Sequence, residues 1–78
     1  MKVSDDNKTI KLNHNNIKKI TRYSVGFWKW KRFKIKIFEW EYVYLRYGTI
    51  TTVLTFEDEE NRDRCYFTIL QYLFNEFL

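Results

Sequence analysis

Phe33-Lys34-Ile35-Lys36-Ile37 alternates an apolar and a cationic side chain with a period of two, the mark of a strand with one face against a core and one in water. The same alternation runs in Trp28-Lys29-Trp30-Lys31, after Phe27, with the opposite phase, the rings now on even numbers. One strand cannot carry both phases, so a turn or bulge is expected near Lys31-Arg32. A second slip is expected around Glu39-Trp40-Glu41, after which Val43, Leu45 and Tyr47 follow one face and Tyr42 and Tyr44 the other. Gly48 marks the next turn. Thr49 to Glu57 is β-branched almost throughout and reads as the clearest strand, with Ile50, Leu54 and Phe56 inward.

Upstream, Gly26 breaks the pattern after Ile17 to Val25, a strand anchored by Ile17 and Ile20. Thr9-Ile10-Lys11-Leu12 is a shorter strand, and Asn13-His14-Asn15-Asn16 a turn, since Asn tolerates positive φ and bonds its own backbone. Residues 1–7 read as a flexible tail and 8–78 as one small α+β domain. Downstream the period changes. At 100° per residue Tyr66, Ile69, Leu70, Leu73 and Phe77 fall in one stripe, flanked by Phe67, Phe74 and Leu78 on one side and by Cys65 and Tyr72 on the other. Arg64, Thr68, Gln71 and Asn75 make the polar face. Asp58 is placed to cap this helix, Glu59 and Glu60 to meet its positive end, and Glu60 to pair with Arg64 one turn on. The expected fold is α+β: a curved antiparallel sheet of four or five strands packed by one C-terminal amphipathic helix. Phe33, Phe56, Tyr66 and Phe77 are its expected core rings.

Composition agrees with a single compact unit. In 78 residues, 45% hydrophobic and 21% aromatic, large rings make up for the short chain. The absence of Pro and Ala, with two Gly and abundant Lys, Asn and Ile, points to an AT-rich coding sequence of bacterial or phage type. The lone Cys65 excludes an internal disulfide and fits a reducing compartment. The longest uncharged run, Cys65 to Asn75, is far short of the roughly 20 residues a spanning helix needs, and no apolar leader follows Met1. The expected location is the cytoplasm, with a peripheral place at a membrane left open.

The order of elements resembles something familiar. Ile17-Lys18-Lys19-Ile20 follows a short strand and an Asn-rich turn; long aromatic and basic strands come next, and Leu45-Arg46-Tyr47-Gly48-Thr49-Ile50-Thr51-Thr52-Val53-Leu54-Thr55-Phe56 leads into the acidic start of a terminal helix. This resembles bacterial pleckstrin-homology-like domains over roughly residues 9–78. The resemblance implies a curved sheet closed at one end by the C-terminal helix, and a non-catalytic module for phosphoinositides, peptides or proteins. The chain is short for a seven-stranded example, which implies a strand or two missing or supplied in trans.

Charge is distributed unevenly. Residues 7–38 hold ten bases and no acid, whereas residues 39–78 hold eight acids and three bases, so +10 is followed by −5 within a net +4. That polarity suits a basic face meeting an anionic ligand or a protein partner, or two poles meeting between protomers. The candidate contact residues are Lys18, Lys19, Arg22, Trp28, Lys29, Trp30, Lys31, Arg32, Lys34 and Lys36, with Trp28 and Trp30 as anchors. Interleaved Trp and Lys also suit single-stranded nucleic acid, by stacking and phosphate neutralisation, or the headgroups of a membrane. Set against these is the plain reading of a half-exposed strand with solvated lysines. Phe67, Phe74 and Leu78 exceed what one contact stripe needs and are candidate oligomer contacts, in keeping with a self-associating or inhibitory phage protein. Against an enzyme stand the single histidine, His14, the single thiol and the lack of a phosphate-cradling glycine loop. No cofactor or metal is expected.

Overall fold

The computed structural model describes residues 1–76. Its elements are β1 (Lys2–Ser4), β2 (Thr9–Lys11), β3 (Ile17–Val25), a short 3-10 turn η1 (Trp28–Trp30), β4 (Arg32–Val43), β5 (Arg46–Phe56) and α1 (Glu59–Glu76). The class is α+β, but the strands divide into two antiparallel sheets, β1-β2 and β3-β4-β5. The single sheet of four or five strands expected from the sequence is therefore replaced by a two-stranded hairpin and a three-stranded meander, and the sheet is not closed.

β4 lies between β3 and β5, and its alternation sets the layout. Ile35 and Ile37 are fully buried and pair across the ladder with Leu54 and Thr52 on β5, and with Arg22 and Ile20 on β3. Residues directly opposite share a face, so this parity defines the side of the sheet that faces α1. Ile69 from the helix and Val3 and Leu12 from the small hairpin complete the buried cluster with Phe56. Phe33, Tyr66 and Leu73 pack at its margin, half-buried; Phe77, also expected in the core, lies outside the described residues. Ile50 has the inward parity but is exposed, because it lies on the outer end of the β4–β5 ribbon, where every residue from Trp40 to Thr51 is open to solvent.

The phase change before Arg32 is real: Gly26 to Lys31 leaves the sheet through η1. Gly26 has φ +78, and a Cβ there would lie 2.8 Å from the Trp30 carbonyl oxygen, so this loop needs glycine. No second slip occurs at Glu39-Trp40-Glu41. β4 pairs without interruption to Val43, and the chain reverses at Tyr44-Leu45, both at positive φ (53 and 63), the backbone of a two-residue type I′ hairpin. Gly48 is an ordinary strand position opposite Glu41 rather than a turn. The irregularity lies instead on β3, where a bulge between Ile17 and Lys19 leaves Lys18 as the extra residue.

Residues 2–4 are a strand rather than a tail. Met1 and Leu12 exchange two hydrogen bonds, from the N-terminal ammonium to the Leu12 carbonyl and from the Leu12 N–H to the Met1 carbonyl. Val3 enters the core. The acidic pair that follows docks on the free edge of β5: the Asp5 carboxylate accepts from the Thr55 N–H at 2.7 Å and Asp6 from the Glu57 N–H at 2.8 Å. The first residues are held because they supply acceptors to edge N–H groups that would otherwise have only water.

At its other end the chain follows the sequence pattern. Asp58 accepts from the Glu60 N–H at 3.0 Å, and Glu60 pairs with Arg64. Arg62, however, is buried. It donates to the Tyr23 carbonyl at 2.8 Å and to Asp63 at 2.6 Å, and its guanidinium lies 5.3 Å from the Phe33 ring centre. Arg22 reaches the same Asp63 from β3 at 3.0 Å. Helix and sheet are thus joined by ionic contacts at one end and by apolar packing at the other.

Two measurements test this account. Ile37→Ala should lower unfolding free energy by about 2–5 kcal/mol in denaturant titration, since the site is fully enclosed; a loss under about 1 kcal/mol would contradict the assigned core. Burial works against ionisation of Asp5, but N–H bonds from Thr55, Asn7 and Lys8, with the Lys8 charge, outweigh it and hold the carboxyl below its ordinary 3.8. A depressed folded value means that the contribution is present above about pH 4 and lost as pH falls through the folded value. Asp5→Asn should therefore destabilise the chain at neutral pH and flatten its acid unfolding profile; an unchanged profile would count against the docked segment.

Candidate interaction surface

Because α1 covers one side of the three-stranded sheet, the opposite parity faces away from it. On β4 these residues are Lys34, Lys36, Phe38, Trp40 and Tyr42; their partners on β5 are Thr55, Val53, Thr51, Thr49 and Tyr47. On β3 Lys19, Thr21 and Tyr23 stand opposite Phe38, Lys36 and Lys34. The bulge adds Lys18 to this side, its Nζ 4.4 Å above the Trp40 ring and 3.5 Å from the Thr49 hydroxyl. The face is thus a mixed array of cations, rings and hydroxyls. No acid appears among these residues; Glu39 and Glu41 have the parity of Ile35 and Ile37.

The cations are placed against rings rather than free in solvent. Lys36 Nζ lies 5.5 Å from the Tyr23 ring centre and 5.9 Å from that of Phe38, and Lys34 donates to Thr55 Oγ1 at 3.0 Å. Stems laid along aromatic surface keep the ammonium groups at the surface while limiting their freedom. Towards the ribbon end, Trp40 meets Tyr47 edge-on at 6.4 Å and Tyr47 lies 4.8 Å from Tyr42. Trp40 and Tyr47, with Asn15 and Asn16 of the preceding turn, line an open cleft of about 470 Å³. The Trp40 N–H donates to the Asn16 carbonyl at 2.7 Å and fixes that turn against β4.

The residues expected to bind from the sequence therefore separate into three places. Lys18, Lys19, Lys34 and Lys36 come together on the open face. Trp28, Lys29, Trp30 and Lys31 sit in the β3–β4 connection at the opposite end of β4 from the hairpin tip, Trp28 86% and Trp30 65% exposed. Arg22 turns to the helix side, against Asp63 and over the rings of Tyr66 and Phe67. Arg32 braces the loop by donating to the carbonyls of Lys29 and Lys31, and lies 3.8 Å from Glu57. Tyr23, Phe38, Trp40, Tyr42 and Tyr47 were not expected in the site. The signal for three of these rings, Phe38, Trp40 and Tyr42, is an even-numbered row continuing past Lys36, hidden by the slip expected at Glu39; Tyr47 is hidden by the turn expected at Gly48.

Of the candidate oligomer contacts, Phe67 lies under the Arg22 guanidinium, Phe74 is exposed, and Leu78 is outside the described residues. His14 is half-buried and edge-on to Tyr72. Cys65 is half-buried, and burial, with the nearby Asp5 charge, raises its thiol above the ordinary value, the reverse of what a nucleophile needs. Among the described residues no group of three or more His, Cys, Asp or Glu is placed to hold a metal ion, and no helix is long and apolar enough to cross a membrane. No protein-family model, no curated protein and no solved structure matches the chain.

With Trp28, Trp30 and Trp40 all exposed, acrylamide should quench nearly all tryptophan emission of the folded protein, close to the extent seen after unfolding. A large protected fraction would contradict the placement of both ends of the sheet.

Proposed function

We propose that the chain is a non-catalytic interaction module that binds an anionic ligand or an acid-bearing protein partner through the helix-free face of its sheet. The observation behind this reading is the concentration of Lys18, Lys19, Lys34 and Lys36 on that face, beside exposed rings and with no carboxylate among them. Such a patch concentrates anions and speeds their arrival, and rigid rings add contact area at small entropic cost. A sheet makes a suitable platform because the register fixes the spacing of its side chains. The likeness to bacterial pleckstrin-homology-like domains belongs to the same proposal, supported by a C-terminal helix lying across an antiparallel sheet.

Immobilised heparin provides the test. The intact protein should be retained and released by salt, its affinity falling by about 50- to 150-fold between roughly 50 and 200 mM when the four lysines each neutralise one charge. Reversing Lys18, Lys34 and Lys36 together to Glu should abolish retention, while reversing Lys29 and Lys31 in the β3–β4 connection should leave most of it. Equal losses from the two sets, or none from the first, would refute the assignment to this face.

A further inference from the structure

The row along β4 is ordered. Reading outward from the loop end, it presents two cations (Lys34, Lys36) and then three rings (Phe38, Trp40, Tyr42), with Lys19 and Lys18 of β3 beside the rings. Lys34 to Tyr42 spans about 27 Å at the rise of an extended strand. A ligand that met only the cations would leave the rings idle, and a lone phosphate would span one position of the row. The row instead fits a linear polymer carrying negative charge and flat apolar groups in alternation.

The cleft at the ring end specifies those groups further. It is lined by Trp40 and Tyr47, whose rings stand at 82° and so offer a planar partner one ring to stack on and one to meet edge-on, and by Asn15 and Asn16, a residue type that carries both a donor and an acceptor. Lys18 Nζ lies 4.4 Å above the Trp40 ring, so a group stacked on Trp40 takes the ring's other face or displaces the ammonium, which then stands beside its phosphate. Planar heterocycles with donor and acceptor edges, joined by phosphates, are nucleotides. In a duplex those bases are stacked on one another and a flat sheet face meets only the backbone; in a single strand they are free to lie on the rings.

We infer that the ligand of this face is a single-stranded nucleic acid, with one base in the cleft of Asn15, Asn16, Trp40 and Tyr47 and the adjoining phosphates on Lys18, Lys19, Lys34 and Lys36. This rests on the anion-binding reading above and narrows it to one chemistry. Trp40, rather than Trp28 or Trp30, is the principal stacking residue, because the loop pair is at the far end of the sheet from the ring row.

The experiment is a fluorescence-anisotropy titration of a labelled oligothymidylate of about 15 nucleotides with the intact chain, set beside a duplex of equal length and inorganic polyphosphate. The single strand should bind more tightly than the duplex. Trp40→Ala should weaken single-strand binding by about 5- to 150-fold, the loss of one stacked base, and Tyr47→Ala by less, while Trp40→Phe keeps most of it and polyphosphate binding is unchanged throughout. Circular dichroism confirms that each variant is folded, and Trp28→Ala serves as the exposed-ring control. Equal binding by Trp40→Ala and the parent, or a duplex bound as tightly as the single strand, would overturn the inference. Polyphosphate binding without oligonucleotide binding would overturn it and leave the anion-binding face standing. Failure to bind either polyanion would overturn both.

Discussion

The constraint behind the rest of the molecule is that β4 is hydrogen-bonded on both sides. From Phe33 to Glu39 the strand is held by two ladders and cannot turn about its axis, so burying Ile35 and Ile37 beneath the helix fixes the direction of its alternate side chains. The β5 ladder alone carries that alternation on to Val43. Lys34, Lys36, Phe38, Trp40 and Tyr42 face outward because their neighbours face inward. The site is in this sense the reverse side of the core, and the side of the sheet on which each of its residues stands is set by the core packing.

The two halves of the charge map meet within one chain. Arg22 of the basic segment pairs with Asp63 of the acidic one, and Arg32 approaches Glu57. The Asp63 carboxyl loses some solvation, but the guanidinium groups of Arg62 and Arg22 more than compensate and hold it below the ordinary range. Part of the polarity seen in the sequence is thus spent on joining the helix to the sheet. What remains is the array on the open face, whose lysines have rings and hydroxyls for neighbours instead of carboxylates.

Much of this was legible in the residues. β3 covers the stretch its anchors Ile17 and Ile20 indicated, the reversal of phase located the break before Arg32, and Asp58 with the stripe from Tyr66 to Leu73 defined the helix. Three things were not legible, each for a physical reason. Tyr44-Leu45 carries none of the Asn or Gly that announces a two-residue hairpin, so the turn was assigned to Gly48. The docking of Asp5 and Asp6 depends on which edge of β5 is free, a property of the assembled sheet. Arg62 lies near the start of an amphipathic helix, where a charged side chain ordinarily faces water, and only the Tyr23 carbonyl and Asp63 explain its burial. For the site, Lys34 and Lys36 stood out by alternation, whereas Trp40 was read on the wrong side of an irregularity that belongs to β3.

The tip of the ribbon bears on how the fold is reached. A hairpin is ordinarily helped by a turn that favours reversal by itself, but Tyr44 and Leu45 adopt left-handed backbone angles that cost side-chain-bearing residues about 1–2 kcal/mol each. Pairing of β4 with β5 therefore gains little from its own turn. It gains most where Ile35 meets Leu54, a contact that closes a loop of eighteen intervening residues. A ribbon built this way is expected to zip from the core outward, its last pairs forming at the exposed aromatic end, at a rate set by chain closure more than by local preference.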